Sequence, residues 1–180
     1  MNKFLAVISA LGGFLALGLG PAFGAPPPMA SGGGHAYEES TSYFLNGEMN
    51  FAFTARGVGT DASGQITLQG TAADTGQQAL IKATVVCLNV VDNTADVEGV
   101  ITGGTYPSGS VYGIGEVGDH VMFRVVDNGE GAKATGPDLV SHVGMYYPEP
   151  LPNDSCLTNP IDDYSPMQNA RGNIQVKPAS

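Results

Sequence analysis

The chain has 180 residues and a formal net charge of −10, and only 13% of its residues are charged. This excess of acids, with no basic patch carrying interleaved aromatic residues, argues against nucleic acid as a partner. The length is that of one domain able to bury a core. Sparse charge, 26 glycines and many Ser, Thr and Val residues favour an all-β protein over a helical one.

Residues 1–24 have the pattern of a secretory signal peptide. Lys3 supplies the positive start, an apolar stretch follows, and Ala22 and Gly24 occupy the two positions that need small side chains before a cleavage site. We therefore expect cleavage after Gly24 and a secreted or periplasmic mature protein. No later apolar segment is long enough to span a bilayer, so no membrane span is expected after cleavage.

The segment that follows is predicted to be a flexible leader. Residues 25–42 begin with a Pro-rich tract and continue with a Gly-rich one. A segment of this composition buries little apolar area and usually stays extended and mobile. The folded β domain is accordingly predicted to span residues 43–180.

Beyond residue 43 the apolar residues recur with a period of two, which predicts β-strands. The run 79–91 is apolar on both phases, so we expect a central strand covered on both faces or a bulge that exchanges the faces midway. Seven to eight short strands predict a single antiparallel β-sandwich or closed β-barrel. The predicted strands cover residues 49–56, 65–69, 79–91, 96–102, 121–126, 139–146 and 172–177, with a weak strand near 110–116.

Cys87 and Cys156 are the two cysteines of the chain. In an oxidising compartment they are expected to form a disulfide. Closing so long a loop stabilises the fold by roughly 4 kcal/mol in the chain-entropy model. Cys156 lies in a Pro-rich connection, residues 147–171, that has no periodicity. The bridge would pin this long loop to the core.

No motif predicts a catalytic or cofactor-binding residue. A G-x-S-x-G nucleophile turn and zinc-ligand spacing are both absent from the sequence. His120 and His142 fall on the polar phase of their strands, which predicts surface positions. Paired carboxylates for glycoside hydrolysis stay open as an alternative, with acids drawn from loops 103–119 and 147–171.

The stretch FRVVDNGEG, residues 123–131, allows two interpretations. Asp127, Asn128, Glu130 and Asp138 are hard oxygen donors around one loop, as a calcium site requires. Asp-Asn-Gly is also the strongest short hairpin signal, and a predicted strand lies on each side of it. The spacing departs from the EF-hand pattern. We therefore expect a hairpin here and retain calcium as the one candidate ion.

Four segments in order, NFAFTAR, VVDN with TADVEGV, FRVVDNGEG and GNIQV, resemble an uncharacterised group of small secreted bacterial β proteins. In that group a Val-x-Asp-Asn-Gly-Glu strand end is followed by an Asp that opens another strand, and a Gly-Asn-Ile-Gln-Val strand ends the chain. The resemblance covers residues 48–177, with the loop 147–171 inserted. It implies a secreted all-β fold and transfers no catalytic residue.

These features together favour a secreted, non-enzymatic β domain that binds a protein or glycan ligand or has a structural role. The alternative is a secreted, carbohydrate-active hydrolase that uses the loop carboxylates. A concave site with convergent acids and tyrosines would favour the hydrolase.

Overall fold

The computed structural model describes residues 25–38, 45–72, 75–105, 115–146, 156–157 and 167–180. The predicted signal peptide lies outside these residues, as does most of the long connection around Cys156. The weak strand near 110–116 also lies outside them, except that Gly115 and Glu116 form a bend. Within the described residues there is no helix of the length and apolarity that a membrane crossing requires.

The described part of the chain is all-β, and its ten strands form one antiparallel sheet. The strand order is β10-β1-β2-β3-β4-β5-β6-β7-β9, and β8 pairs with β6. The strands are β1 Met29–Glu38, β2 Leu45–Arg56, β3 Ser63–Ala72, β4 Gln78–Val91, β5 Thr94–Thr105, β6 His120–Val126, β7 Leu139–Val140, β8 Gly144–Tyr146, β9 Gln168–Asn169 and β10 Arg171–Lys177.

The sheet curls into a nearly closed barrel, since its two end strands, β9 and β10, are separated in sequence only by Ala170. β9 pairs with β7, whereas β10 pairs with β1 along seven residue pairs from Met29↔Lys177 to His35↔Arg171. One stretch of chain therefore joins the last strands of the sheet to the first. Of the two predicted architectures, the sheet corresponds to the barrel.

Strand β1 replaces much of the predicted flexible leader. Met29–Glu38 pairs with β2 on one side and with β10 on the other. The inward positions of this strand are Ala or Gly, and Ala30 and Ala36 are buried. A Cβ on Gly34 would lie 2.6 Å from the carbonyl oxygen of Arg171, so this strand needs glycine to approach β10. The prediction of a flexible leader was wrong for these residues. When the inward-facing residues are small, the inward and outward positions of a strand differ little in hydrophobicity, so the strand leaves no clear pattern in the sequence. Residues 39–42 lie outside the described residues.

The long apolar run of β4 contains the predicted bulge. The pairing of β4 with β5 shifts register between Val85 and Cys87. Val85 packs in the main core before the register shift, and Leu88 packs in it after the shift, so the inward-facing positions change from odd to even numbers. Cys87 belongs instead to a separate small cluster with Met122 and Cys156. The bulge thus places the cysteine on the outer face of the sheet.

The strand count exceeds the predicted seven to eight for identifiable reasons. Besides β1, the predicted strand 139–146 is split into β7 and β8. At the split, the hydroxyl of Ser141 accepts the backbone N–H of Arg124 at 2.8 Å, which places a side chain in the ladder. The predicted loop 147–171 also contains the short strand β9.

The core occupies the inside of the barrel, where inward-facing aromatic and branched side chains fill the space. Phe53 and Phe123 make an edge-to-face contact with ring centroids 5.3 Å apart. Along β2 the buried residues Met49, Phe51, Phe53 and Ala55 alternate with exposed ones. This period-two burial is the predicted pattern, and in β2 it leaves the polar phase on the outer surface.

Candidate functional site

A cleft opens where the end of β1 meets β9, beside the junction that closes the barrel. The register sets its side chains in two rows: His35 lies opposite Arg171 on β10 and Asn50 on β2. Two residues further along β1, Tyr37 lies opposite Glu48. Ala36, between the rows, is buried, so His35 and Tyr37 point to the outer surface.

This seam cleft has a volume of about 230 Å³. Its described lining is almost entirely polar, and Tyr37 contributes an aromatic ring that is 60% exposed. Planar amide and guanidinium groups beside an exposed ring are groups that hydrogen-bond and stack on a polar ligand. The polar lining residues are His35, Tyr37, Glu48, Gln168, Asn169 and Arg171.

In the described part of the chain, no ion pair involves the charged side chains of the seam cleft. Among the described residues, the two ion pairs are His120–Glu98 and Arg124–Asp96, neither of which lies in the cleft. Glu48 is the one carboxylate that the described lining contributes. Hydrolysis by paired carboxylates requires a second acid. The described part of this cleft therefore supplies binding groups but not that catalytic pair.

A second polar cluster lies on the outer face of β5 and β6, around the buried carboxylate of Glu98. Glu98 Oε1 lies 2.7 Å from His120 Nδ1 and accepts the hydroxyl of Tyr146 at 2.6 Å. Glu98 Oε2 accepts the backbone N–H of Cys156 at 3.1 Å. The rings of His120 and Tyr146 stack at a centroid distance of 5.1 Å. A buried carboxylate needs such partners, and these tie the Cys156 segment to the sheet.

The disulfide between Cys87 and Cys156 is present beside this carboxylate, and it confirms the predicted bridge. Among the described residues, one group of three or more His, Cys, Asp or Glu side chains brings its ligand atoms within 4.8 Å of one another. It consists of Cys87, Glu98 and Cys156. Because both sulfurs are bonded to each other, the group is a covalent and hydrogen-bonded anchor for the loop.

Asp96 and Arg124 form the next row on the same face. The guanidinium donates to both carboxylate oxygens, from Nε at 2.7 Å and from Nη2 at 2.9 Å. The hydrogen bond to Asp96 raises the pKa of Arg124, against the opposing effect of burial. This pair forms part of a cavity of about 360 Å³ whose rim includes Asn89, Asp92 and Asn93. The paired charges neutralise each other and fix the orientation of β6 against β5.

The residues predicted as calcium ligands connect the loop 127–138 with the last strand. Asp127 accepts the N–H of Gly129 at 2.8 Å through Oδ1 and that of Val176 at 2.9 Å through Oδ2. Asp138 accepts the N–H of Asn128 at 2.9 Å and that of Ile174 at 2.8 Å.

The two remaining residues of the predicted calcium set also have partners. The side-chain amide of Asn128 donates to the carbonyl of Pro137 at 2.6 Å. Exposed Glu130 accepts the side-chain amide of Gln175 at 3.0 Å. The carboxylates of Asp127, Glu130 and Asp138 do not come together as a ligand group within 4.8 Å. The calcium site stays a prediction.

The hairpin predicted at this loop is confirmed, but with a longer connection. β6 and β7 pair antiparallel through Val126↔Leu139 and Val125↔Val140. Between them the chain makes an Asx turn at Asp127 and a short 3-10 turn, Gly131–Lys133, instead of a two-residue hairpin turn. The Asp-Asn-Gly sequence therefore does form a turn, and the carboxylate of Asp127 in it also binds the backbone of β10.

The two histidines differ from the predicted surface positions. His142 is buried, with 7% exposure, and its ring contacts the side-chain amide of Gln168 at 3.1 Å. His120 is half-buried through its contacts with Glu98 and Tyr146. The period-two pattern of hydrophobicity predicted exposed histidines, but the outer face of this part of the sheet is itself covered. Polar residues that point outward are therefore not exposed to solvent here.

The acids proposed for a hydrolase lie mostly outside the described residues. Of those described in loop 103–119, Asp119 is buried, and its Oδ2 accepts the backbone N–H groups of Gly115 at 2.8 Å and Glu116 at 3.0 Å. It closes a turn before β6. The seam cleft was missed from the sequence because Arg171 was assigned to a loop and His35 to the leader. The small residues of β1 gave no period-two pattern that could have indicated a strand.

No protein-family model, curated protein or solved structure matches the chain. The resemblance to small secreted bacterial β proteins accordingly remains an expectation based on four segments of sequence. Among the described residues, the seam cleft is a concave surface lined by polar side chains beside an exposed tyrosine ring.

Proposed function

We propose that the chain is an exported, non-enzymatic binding module that takes a saccharide in the seam cleft. The observation that carries the proposal is the exposed ring of Tyr37 set beside the polar side chains of the cleft. The chain has no Trp, the residue most often used as a stacking platform for sugars, so a tyrosine in this position takes that role.

The cleft chemistry suits hydroxyl groups on a ring. Asn169 offers amide donors and an acceptor, Glu48 offers two acceptor oxygens, and Arg171 offers a planar set of donors. A pyranose presents hydroxyls around its edge and C–H groups on its face. Tyr37 would take the apolar face while the surrounding side chains take the edge.

Two further features support export. The N-terminal pattern that ends at Gly24 is that of a signal peptide. The Cys87–Cys156 disulfide suits the oxidising conditions of the periplasm or the extracellular space. Both features support the proposal of a secreted or periplasmic protein, which the sequence resemblance also implies.

The test is a binding screen of the purified full chain against immobilised oligosaccharides, followed by calorimetry on the best ligand. We expect saturable binding to at least one saccharide class and loss of most of that affinity in Tyr37→Ala. Tyr37→Phe should keep it, since the ring remains. Val58→Ala is the matched control, because Val58 is 63% exposed and lies outside the cleft.

The outcomes separate binding from catalysis. If no saccharide binds, or if Tyr37→Ala binds as well as the parent, the proposal is wrong. The hydrolase alternative predicts instead that a bound oligosaccharide is cleaved on incubation, which reducing-end analysis detects. Cleavage that survives Tyr37→Ala would place an active site in the carboxylate loops and outside this cleft.

A further inference from the structure

The seam cleft has a cationic end. Arg171 on β10 and His35 on β1 are direct cross-strand partners, and both side chains are exposed. Direct cross-strand pairs hold their Cβ atoms about 5 Å apart. Among the described residues neither takes part in an ion pair. In a chain with a net charge of −10, an exposed arginine beside a histidine, with no ion pair to a described carboxylate, forms an unusual local site.

The other end of the cleft is acidic and aromatic. Tyr37 and Glu48 form the neighbouring row, two residues along the strand. Two residues of a β-strand span roughly 7 Å, which is close to the length of one sugar ring with its substituents. A single residue of an oligosaccharide can therefore contact both rows, with one substituent at Arg171 and its ring against Tyr37.

The group best matched to the cationic end is a carboxylate. A guanidinium donates two parallel N–H groups, and these fit the two oxygens of a carboxylate. A phosphate would bring more negative charge toward Glu48 and toward the acidic chain as a whole, which disfavours it. A neutral sugar would leave the guanidinium without an anionic partner.

We infer that the seam cleft is selective for saccharides that carry a carboxylate, namely uronic acid residues, with Arg171 binding the carboxylate and Tyr37 stacking on the ring. This inference rests on the proposed saccharide-binding function and adds its charge selectivity. His35 adds a ring nitrogen beside Arg171, and Glu48 accepts hydrogen bonds from hydroxyl groups at the opposite end of the sugar ring.

The test compares each acid with its own neutral derivative. Oligomers of galacturonate, glucuronate and mannuronate, and their methyl esters, are titrated into the full chain at low ionic strength. We expect at least one acid to bind about ten-fold or more tightly than its ester, with an affinity that falls as salt is added. The ester keeps the ring and the hydroxyls and removes only the charge.

Variants assign the effect to the cleft. Arg171→Gln should bring the acid down to the affinity of the ester and leave the ester unchanged. Arg56→Gln is the matched control, since Arg56 is also an exposed arginine of the sheet, on β2, but lies outside the cleft. The melting temperature of both variants shows whether they are folded.

The results that overturn the inference differ from those that overturn the proposed function. If the acid and its ester bind equally well to the parent chain, and Tyr37→Ala binds neither, the saccharide site is supported and its selectivity for a carboxylate is rejected. Preference for a sugar phosphate over the uronates also rejects it. Absence of binding to every acid, ester and neutral oligosaccharide rejects both.

Discussion

The carboxylate of Asp138 accepts the backbone N–H of Ile174 at 2.8 Å, on the edge of β10 that does not face β1. Asp127 accepts the N–H of Val176 at 2.9 Å in the same way. An unpaired strand edge is a template for association with other chains, and barrels remove it by closing. Here two carboxylates take the positions at which a neighbouring strand would otherwise accept these N–H groups.

This closure predicts a stability cost for Asp138→Asn. The asparagine keeps one acceptor oxygen and turns an amide N–H₂ toward the other donor, so one buried N–H loses its partner. We expect the free energy of unfolding to fall by about 1–3 kcal/mol, measured by urea denaturation. Asp61→Asn is the control, because Asp61 is exposed and makes no side-chain hydrogen bond among the described residues. Equal effects of the two substitutions would contradict this role.

Calcium binding at the same loop is tested separately. A bound ion would raise the melting temperature when millimolar calcium replaces a chelator, since a ligand of the folded state stabilises it by mass action. We expect no rise, because the oxygens of Asp127 and Asp138 already accept backbone N–H groups. If calcium raises the melting temperature of the parent chain but not that of Glu130→Gln, the calcium site exists and our expectation is wrong.

Sequence alone predicted the strands that carry large apolar residues at alternate positions, such as Met49, Phe51 and Phe53, because burial follows side-chain volume there. It missed β1, where the inward positions are Ala and Gly. It also missed the pairing of Asp138 with Ile174, 36 residues apart, because such a contact exists only after the barrel has closed. The seam cleft depends on the pairing of β1 with β2 and β10, so its residues gave no local signal in the sequence.

Gly34→Ala tests whether β1 is part of the barrel. A methyl group at this position would lie 2.6 Å from the carbonyl oxygen of Arg171, so the two strands would have to separate. We expect a loss of about 1–3 kcal/mol in the free energy of unfolding. At Gly103 the added Cβ meets no atom within 4 Å, so Gly103→Ala serves as the control with little change. A neutral Gly34→Ala would instead agree with a flexible leader.

Glu130 makes a prediction about pH. Hydrogen bonds from Gln175 and then Asn173 lower the pKa of its carboxyl group from the ordinary value of 4.5. A lowered pKa in the folded state contributes stability above the unfolded pKa, and this contribution is lost as the pH falls through the folded value. Titration of the Glu130 carboxyl carbon by NMR should show a midpoint below 4.5. In Gln175→Leu the midpoint should rise toward 4.5; an unchanged midpoint would contradict the assigned cause.

The carboxylate of Glu98 and the disulfide are predicted to stabilise the same loop together. Replacing both Cys87 and Cys156 with alanine opens a bridge between residues 69 apart, and should lower the free energy of unfolding by roughly 4 kcal/mol. Glu98→Gln disturbs the hydrogen bonds to His120, Tyr146 and the N–H of Cys156, for an expected loss of about 1–3 kcal/mol.

A double-mutant cycle measures whether the two contributions are coupled. Once the bridge is gone, the Cys156 segment is no longer held against Glu98, so Glu98→Gln should cost less than it does in the parent chain, by about 0.5 kcal/mol or more. Asp138→Asn is the control substitution. Asp138 accepts the N–H groups of Asn128 and of Ile174 on β10, away from the disulfide, so the effect of its substitution should add to that of losing the disulfide. Additive behaviour of Glu98→Gln in urea denaturation would mean that the carboxylate supports β6 and β8 alone and has no part in anchoring the loop.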